Sequence, residues 1–294
     1  MTFYSILFDD APTKMVRETR VMPDFFVDLN LDQVVDAITA GRKEYRLKPF
    51  FYTPLHDREL VVYRQDVMRD MENATLLKNI KAFAEEMRIM RRYLELANKS
   101  DFHYHREGWF LEAVVVYCAA VKQLAHELSQ APLQSRGLMA FREYLSAYTE
   151  AEAFTRLEAD TTACKAALGS VRYCVLIKGN TVKVRPYESE IDYSAAVEAT
   201  FAKFKQGAVK DYRSRLSPAA GMSHVEANIL DFVAKLYPDT FAELDRYCAQ
   251  HSAYLNETIN TFDREIQFYV AYVDHIAALK QAGLIFCCLL YTSD

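Results

Sequence analysis

Val171-Arg-Tyr-Cys-Val-Leu-Ile-Lys178, then Gly179-Asn180, then Thr181-Val-Lys-Val-Arg185: here the sequence changes period. The first run is rich in β-branched and aromatic residues. The second alternates polar with apolar side chains, as a strand with one covered face does. Gly-Asn between them suits a two-residue turn, so the stretch reads as a β-hairpin. On both sides of it, apolar residues recur at helical spacing. The fold class that follows is mainly α: an elongated helical core with a small β-hairpin-containing insertion. Only 8 Gly and 8 Pro in 294 residues agree with this, because all-β folds need many tight turns.

Upstream, residues 1 to about 28 read as irregular. Asp28-Leu-Asn30 offers an N-cap for a helix through Gly41, with Leu31, Val34, Val35 and Ile38 on one face. Leu47 to Leu55 reads as a linker, since Pro49 and Pro54 each push the preceding residue out of the helical region. His56-Asp57 opens a helix carrying Leu60, Val61, Arg64, Val67 and Met68. Leu76, Ile80, Phe83, Met87, Met90 and Leu94 mark another. Trp109 to Leu128 is apolar on two sides and is expected at the centre. Leu138 to Ala167 carries one or two more helices.

Downstream, helices are expected at about Tyr193–Lys205 and Ser223–Leu236, with Pro238 placed for the first turn of the next. From Phe241 to about Lys280 one apolar stripe continues without Gly or Pro, through Leu244, Cys248, His251, Leu255, Ile259, Phe262, Ile266 and Tyr269. It reads as a single helix spanning roughly 60 Å at 1.5 Å per residue, closed by Gly283. The apolar end, Phe286-Cys-Cys-Leu-Leu-Tyr-Thr-Ser-Asp294, reads either as a short strand or as a truncation tail containing non-native residues. The truncation reading is preferred, and it makes Cys287 to Asp294 dispensable for stability.

The composition, 51% hydrophobic and 26% charged, is that of a globular protein. The start has no basic region before its apolar residues, which excludes a signal peptide. No run of 18 apolar residues announces a membrane span. Six scattered Cys without a C-x-x-C pair fit free thiols in a reducing cytoplasm. The net charge is −5, yet between Arg172 and Arg215 nine basic side chains face five acidic ones. That asymmetry points to an anionic partner. The basic residues of interest are Lys178, Lys183 and Arg185 on the hairpin, and Lys203, Lys205, Lys210, Arg213 and Arg215 after it.

Phe50-Phe-Tyr-Thr-Pro-Leu-His-Asp57, followed by Tyr63-Arg-Gln-Asp-Val-Met68, resembles the opening of the core, or lever, domain of MutS-family DNA mismatch repair proteins. Arg64, Asp66 and Val67 match the Arg-x-Asp/Glu-x-Val string of that family. Phe262-Asp-Arg-Glu-Ile-Gln-Phe268 is similar to segments near the end of the same domain. The resemblance covers about residues 48–286. It implies an N-terminal segment (1–47), a first helical core part (48–168), a clamp-like insertion (169–215), returning lever helices (216–286) and a tail (287–294). It also implies DNA as partner through backbone contacts, a homodimer in the full-length form, and ATP with Mg²⁺ as cofactors of the full-length protein. The chain departs from the family in lacking both the G-x-x-x-x-G-K-[ST] phosphate loop and room for a mismatch-reading domain before the core. No cofactor and no catalysis are therefore expected of the chain itself.

Other constellations read as structural. His103-Tyr-His105 suits a helix start better than a metal site. Asp9-Asp10, Glu85-Glu86 and Glu188/Glu190 suit solvated surfaces, and Arg64 and Asp66 suit helix contacts. The basic stretch is either a solvated face or a surface for phosphates, which gives affinity without sequence reading. The function expected is the DNA-contacting core and clamp of a MutS-like ATPase. The alternative is a helical protein–protein scaffold without nucleic acid.

Overall fold

The computed structural model describes residues 3–9, 18–179, 181–189 and 223–285. The described chain is mainly helical, with eleven α-helices and one two-stranded antiparallel hairpin. It divides into two compact units. One is formed by residues 1–92, 113–159 and 253–294, the other by 93–112 and 160–252. The second unit thus takes in more chain than the 169–215 insertion, and residues 1–47 fall within the first unit.

In order, the helices are α1 Phe25–Asp28, α2 Leu31–Thr39, α3 Lys48–Tyr52, α4 Arg58–Asp70, α5 Ala74–Lys99, α6 His103–Gln130, α7 Arg136–Glu150 and α8 Glu152–Ser170. The strands β1 Tyr173–Lys178 and β2 Thr181–Pro186 follow, then α9 His224–Leu236, α10 Pro238–Gln250 and α11 Glu257–Gln281. Where a linker was expected, Lys48–Tyr52 is helical, because Pro49 sits in the first turn, where its missing N–H has no intrahelical partner to lose. The helix expected over 193–205 lies outside the described residues, as does the tail from Phe286.

The single long helix expected from Phe241 to Lys280 is corrected to two. His251 N donates to Tyr247 O and closes α10, while Asn256 Oδ1 accepts from Ile259 N at 3.1 Å and opens α11. An apolar stripe survives such a break because both helices bury their stripe residues, and the capping Asn is what marks the boundary. Gly283 does end α11, at φ +89°. Its N–H donates to Lys280 O and that of Leu284 to Leu279 O, a Schellman closure.

The core of the first unit is built from α4, α5, α6, α7 and α11. Val67, Ile80, Met87, Val114, Leu124, Phe141, Phe262 and Ile266 are all fully buried there. Phe141 and Phe262 stack with centroids 3.5 Å apart. By length and composition, α6 is the one helix among the described residues that could cross a membrane, and 44% of its most apolar window is buried inside the protein. Buried Asp70 accepts from Gln134 N and Ser135 N and so fixes the turn into α7, whose cap Ser135 accepts from Leu138 N.

Ser5–Phe8 runs through this core as a bent segment, in which Ser5 Oγ accepts from Leu7 N and Phe8 N. Ser5 Oγ donates to both carboxylate oxygens of Glu265, at 2.7 and 2.8 Å, and Ile6 N donates to Glu265 Oε2 at 3.0 Å. Tyr63 OH donates to Ser5 O, Arg64 Nε to Leu7 O and Tyr269 OH to Ile6 O. The Arg64 guanidinium also lies over the Phe8 and Phe268 rings. Backbone that pairs with no strand is satisfied here by side chains.

Gly137 permits this closeness. A Cβ there would meet Tyr63 Oη at 2.8 Å and Val67 Cγ2 at 3.1 Å. Gly137→Ala should therefore cost about 1–3 kcal/mol, the usual effect of overpacking, measured as a lower urea midpoint. A variant as stable as the parent would show that Tyr63 can move without losing Ser5.

In the second unit, Val233, Ala234 and Phe241 form a small core covered by Tyr104, Leu168, Val171, Val184 and Tyr237. Helix α9 starts with a capping box. Ser223 Oγ accepts from Glu226 N, and Glu226 Oε2 accepts from Ser223 N.

Candidate nucleic-acid interface

The hairpin pairs Lys178 with Thr181, Leu176 with Lys183 and Cys174 with Arg185. Directly opposed residues share a face, and alternate residues along a strand do too. One face therefore carries Lys178, Lys183 and Arg185 together with Cys174, Leu176 and Thr181. The other carries Tyr173, Val175, Ile177, Val182, Val184 and Pro186. Lys178 and Lys183 are exposed. Arg185 is half-buried, with Nη1 3.4 Å from Glu188 Oε2. Lys203, Lys205, Lys210, Arg213 and Arg215 lie outside the described residues.

The apolar face is seated at its base and free further out. Val184 packs on the Val233 cluster of α9 and α10. Tyr187 N donates to Arg172 O at 3.3 Å, and Tyr237 OH donates to the same oxygen. Val175 and Ile177 are exposed, Ile177 to 73%. Gly179 takes φ +59° in the turn, a conformation that costs glycine little. Beneath the base of the hairpin, Tyr104, Trp109, Leu168, Tyr173, Leu230 and Phe241 help line a cavity of about 410 Å³.

The two histidines near the start of α6 have different roles. His105 Nδ1 lies 2.9 Å from Ser100 Oγ, and its Nε2 accepts from Trp109 Nε1 at 2.9 Å. Both ring nitrogens are engaged, and burial lowers its pKa. His103 instead meets two carboxylates. Its Nε2 is 2.6 Å from Asp245 Oδ1 and 3.7 Å from Glu107 Oε1. Burial, opposed by His103 and reinforced by Asp245, pushes the Glu107 carboxyl up to about 7. The reading of His103 as merely a helix start thus missed a cluster. The spacing of His103 and Glu107, one helical turn, was visible in sequence, but Asp245 is brought in by the fold.

Other charged groups singled out in the sequence make structural contacts where they are described. Arg64 serves the N-terminal segment, and Asp66 accepts from Arg69 at 2.8 Å. Asp9 pairs with Arg136 and Glu85 with Arg88 at the surface. His251 is held by Asp160 at 2.9 Å. Cys118, Cys164 and Cys248 are free thiols, and burial raises the pKa of Cys118 and Cys164. No family model, curated protein or solved structure matches the chain.

Proposed function

We propose that this chain is the DNA-contacting core and clamp region of a MutS-like protein, holding the phosphate backbone with the cationic face of its hairpin. One observation carries the reading: Lys178, Lys183 and Arg185 lie on a single hairpin face, while the base of the opposite face is anchored to helices. Cations held on one face of a projecting element match the spaced charges of a phosphate backbone and make no demand on base sequence. The reading assigns the chain no catalytic step. ATP and Mg²⁺ would belong to a module with a phosphate loop, a motif this sequence does not contain. A cytoplasmic location and a homodimer of the full-length protein go with it. The exposed Val175 and Ile177 favour a second reading, a protein-docking scaffold in which nucleic acid has no part.

Salt-dependent binding of fluorescent duplex and branched DNA separates the two. Affinity should be independent of sequence, with log K falling by about 0.9 per neutralised phosphate on a log-salt scale. Lys178→Glu, Lys183→Glu and Arg185→Glu together should abolish it without changing the helical circular dichroism. The control reversal must avoid Lys81 and Arg91, which are held in ion pairs. Lys81 pairs with Asp274, and Arg91 with buried Asp263. Lys78, Arg92 and Lys99 are exposed and serve instead. Equal loss from both triple variants would mean a diffuse electrostatic effect and no clamp, and no binding at low salt would leave the scaffold.

A further inference from the structure

Three ligand-type groups from two helices meet within the second unit. His103 and Glu107 stand one turn apart on α6, so their side chains share a face, and Asp245 arrives from α10. One donor atom from each lies within 4.8 Å of the other two. We propose that His103 Nε2 and the carboxylates of Glu107 and Asp245 bind a divalent transition-metal ion of the zinc class. The observation that points beyond an ordinary polar cluster is Glu107. It is 8% exposed, and its Oε2 accepts no hydrogen bond. A buried carboxylate oxygen without a donor, beside a second carboxylate, is costly unless a cation or proton joins them.

The donor set selects the metal. One imidazole nitrogen with carboxylate oxygens suits zinc or a similar first-row ion, whereas calcium and magnesium prefer all-oxygen shells of six or more. Zinc holds such ligands at about 2.0–2.2 Å, so the present separations need only side-chain adjustment. Three protein ligands also leave a position for water. One feature opposes binding. Arg106 Nη2 lies 3.2 Å from His103 Nδ1, so in the metal-free protein Nδ1 is the acceptor and Nε2–H donates to Asp245. Metal binding at Nε2 moves the ring proton to Nδ1 and requires the exposed Arg106 to turn into solvent.

Calorimetric titration of the full chain with Zn²⁺ tests this, with Co²⁺ absorption reporting coordination. The expected result is one saturable site, a raised melting temperature, and a shift of the His103 imidazole to the Nδ1–H tautomer by NMR. Asp245→Asn and His103→Gln should each weaken binding by more than about a hundredfold, the most that losing an outer partner costs. Both side chains are about half exposed, so the variants should fold, as circular dichroism would verify. His105→Gln should retain binding, because that ring serves Ser100 and Trp109. Absence of a saturable site, or a site indifferent to Asp245→Asn and carried by the free cysteines, would overturn the proposal.

Discussion

Deletion of residues 1–9 is expected to unfold the first unit. Ile6, Leu7 and Phe8 are buried almost completely, and Phe3 packs on Phe141 at 5.0 Å between centroids. Each such side chain contributes about 1.5–3 kcal/mol by burial. The same deletion strips Ser5 Oγ and Ile6 N from the Glu265 carboxylate, which is itself buried. The loss should therefore be comparable to a domain's whole stability of about 5–15 kcal/mol, and the variant should be recovered unfolded or aggregated. Ser5→Ala gives a graded check. It removes one hydroxyl donor and should cost about 1–3 kcal/mol, read from denaturant midpoints. A deletion variant with native circular dichroism and an unchanged midpoint would show the segment to be an ornament of the core.

Arg91→Met should cost about 3–5 kcal/mol, because it leaves a buried charge without its partner. Asp263 is 1% exposed and accepts from Arg91 through Oδ2, while Oδ1 has no donor. Arg91 also donates to Tyr45 OH and lies over that ring. Burial pushes the Asp263 carboxyl up to about 6 even with Arg91 opposing the rise. A carboxyl with a folded pKa above its unfolded value of about 3.8 takes up protons more readily when folded. Its contribution to stability is thus fullest below that value and falls as pH rises through about 6. Losing Arg91 pushes the carboxyl higher still. The variant should then be most damaged at pH 7.5 and partly restored at pH 5. Asp263→Asn added to Arg91→Met should recover much of the loss at pH 7.5. A single variant within about 1 kcal/mol of the parent at pH 7.5 would mean the pair is more solvated than its burial implies.

Local signals read true where one residue type decides geometry. Asp57 caps α4, Ser223 with Glu226 boxes α9, Pro238 opens α10, and Gly179 turns the hairpin. The shared face of Lys183 and Arg185 followed from strand period alone, and adding Lys178 needed only the register. What periodicity could not see was the break at 251–256, since a stripe of buried residues looks the same on one helix or two. Nor could it see that Arg64, Tyr63 and Glu265, the residues around the recognisable strings, are occupied in holding Ser5–Phe8. Those partners are far apart in sequence, and no local pattern encodes them. The His103, Glu107 and Asp245 cluster was half legible, through its one-turn spacing, and its third member was not.

The bonds from Ser5 to Glu265 join residues 260 positions apart. A chain emerging from the ribosome therefore carries the first unit unfinished until α11 has been made. Phe3, Ile6, Leu7 and Phe8 leave the exit tunnel long before α11 exists to receive them. Residues 93–252, by contrast, include every piece of the second unit, so that unit can close while α11 is still being made. Long-range contacts of this kind slow folding, because loop closure precedes any reward. The growing chain thus exposes a greasy, unpaired segment until α11 is made. Such a segment is a target for chaperones, and the step that buries it is the one that completes the first unit.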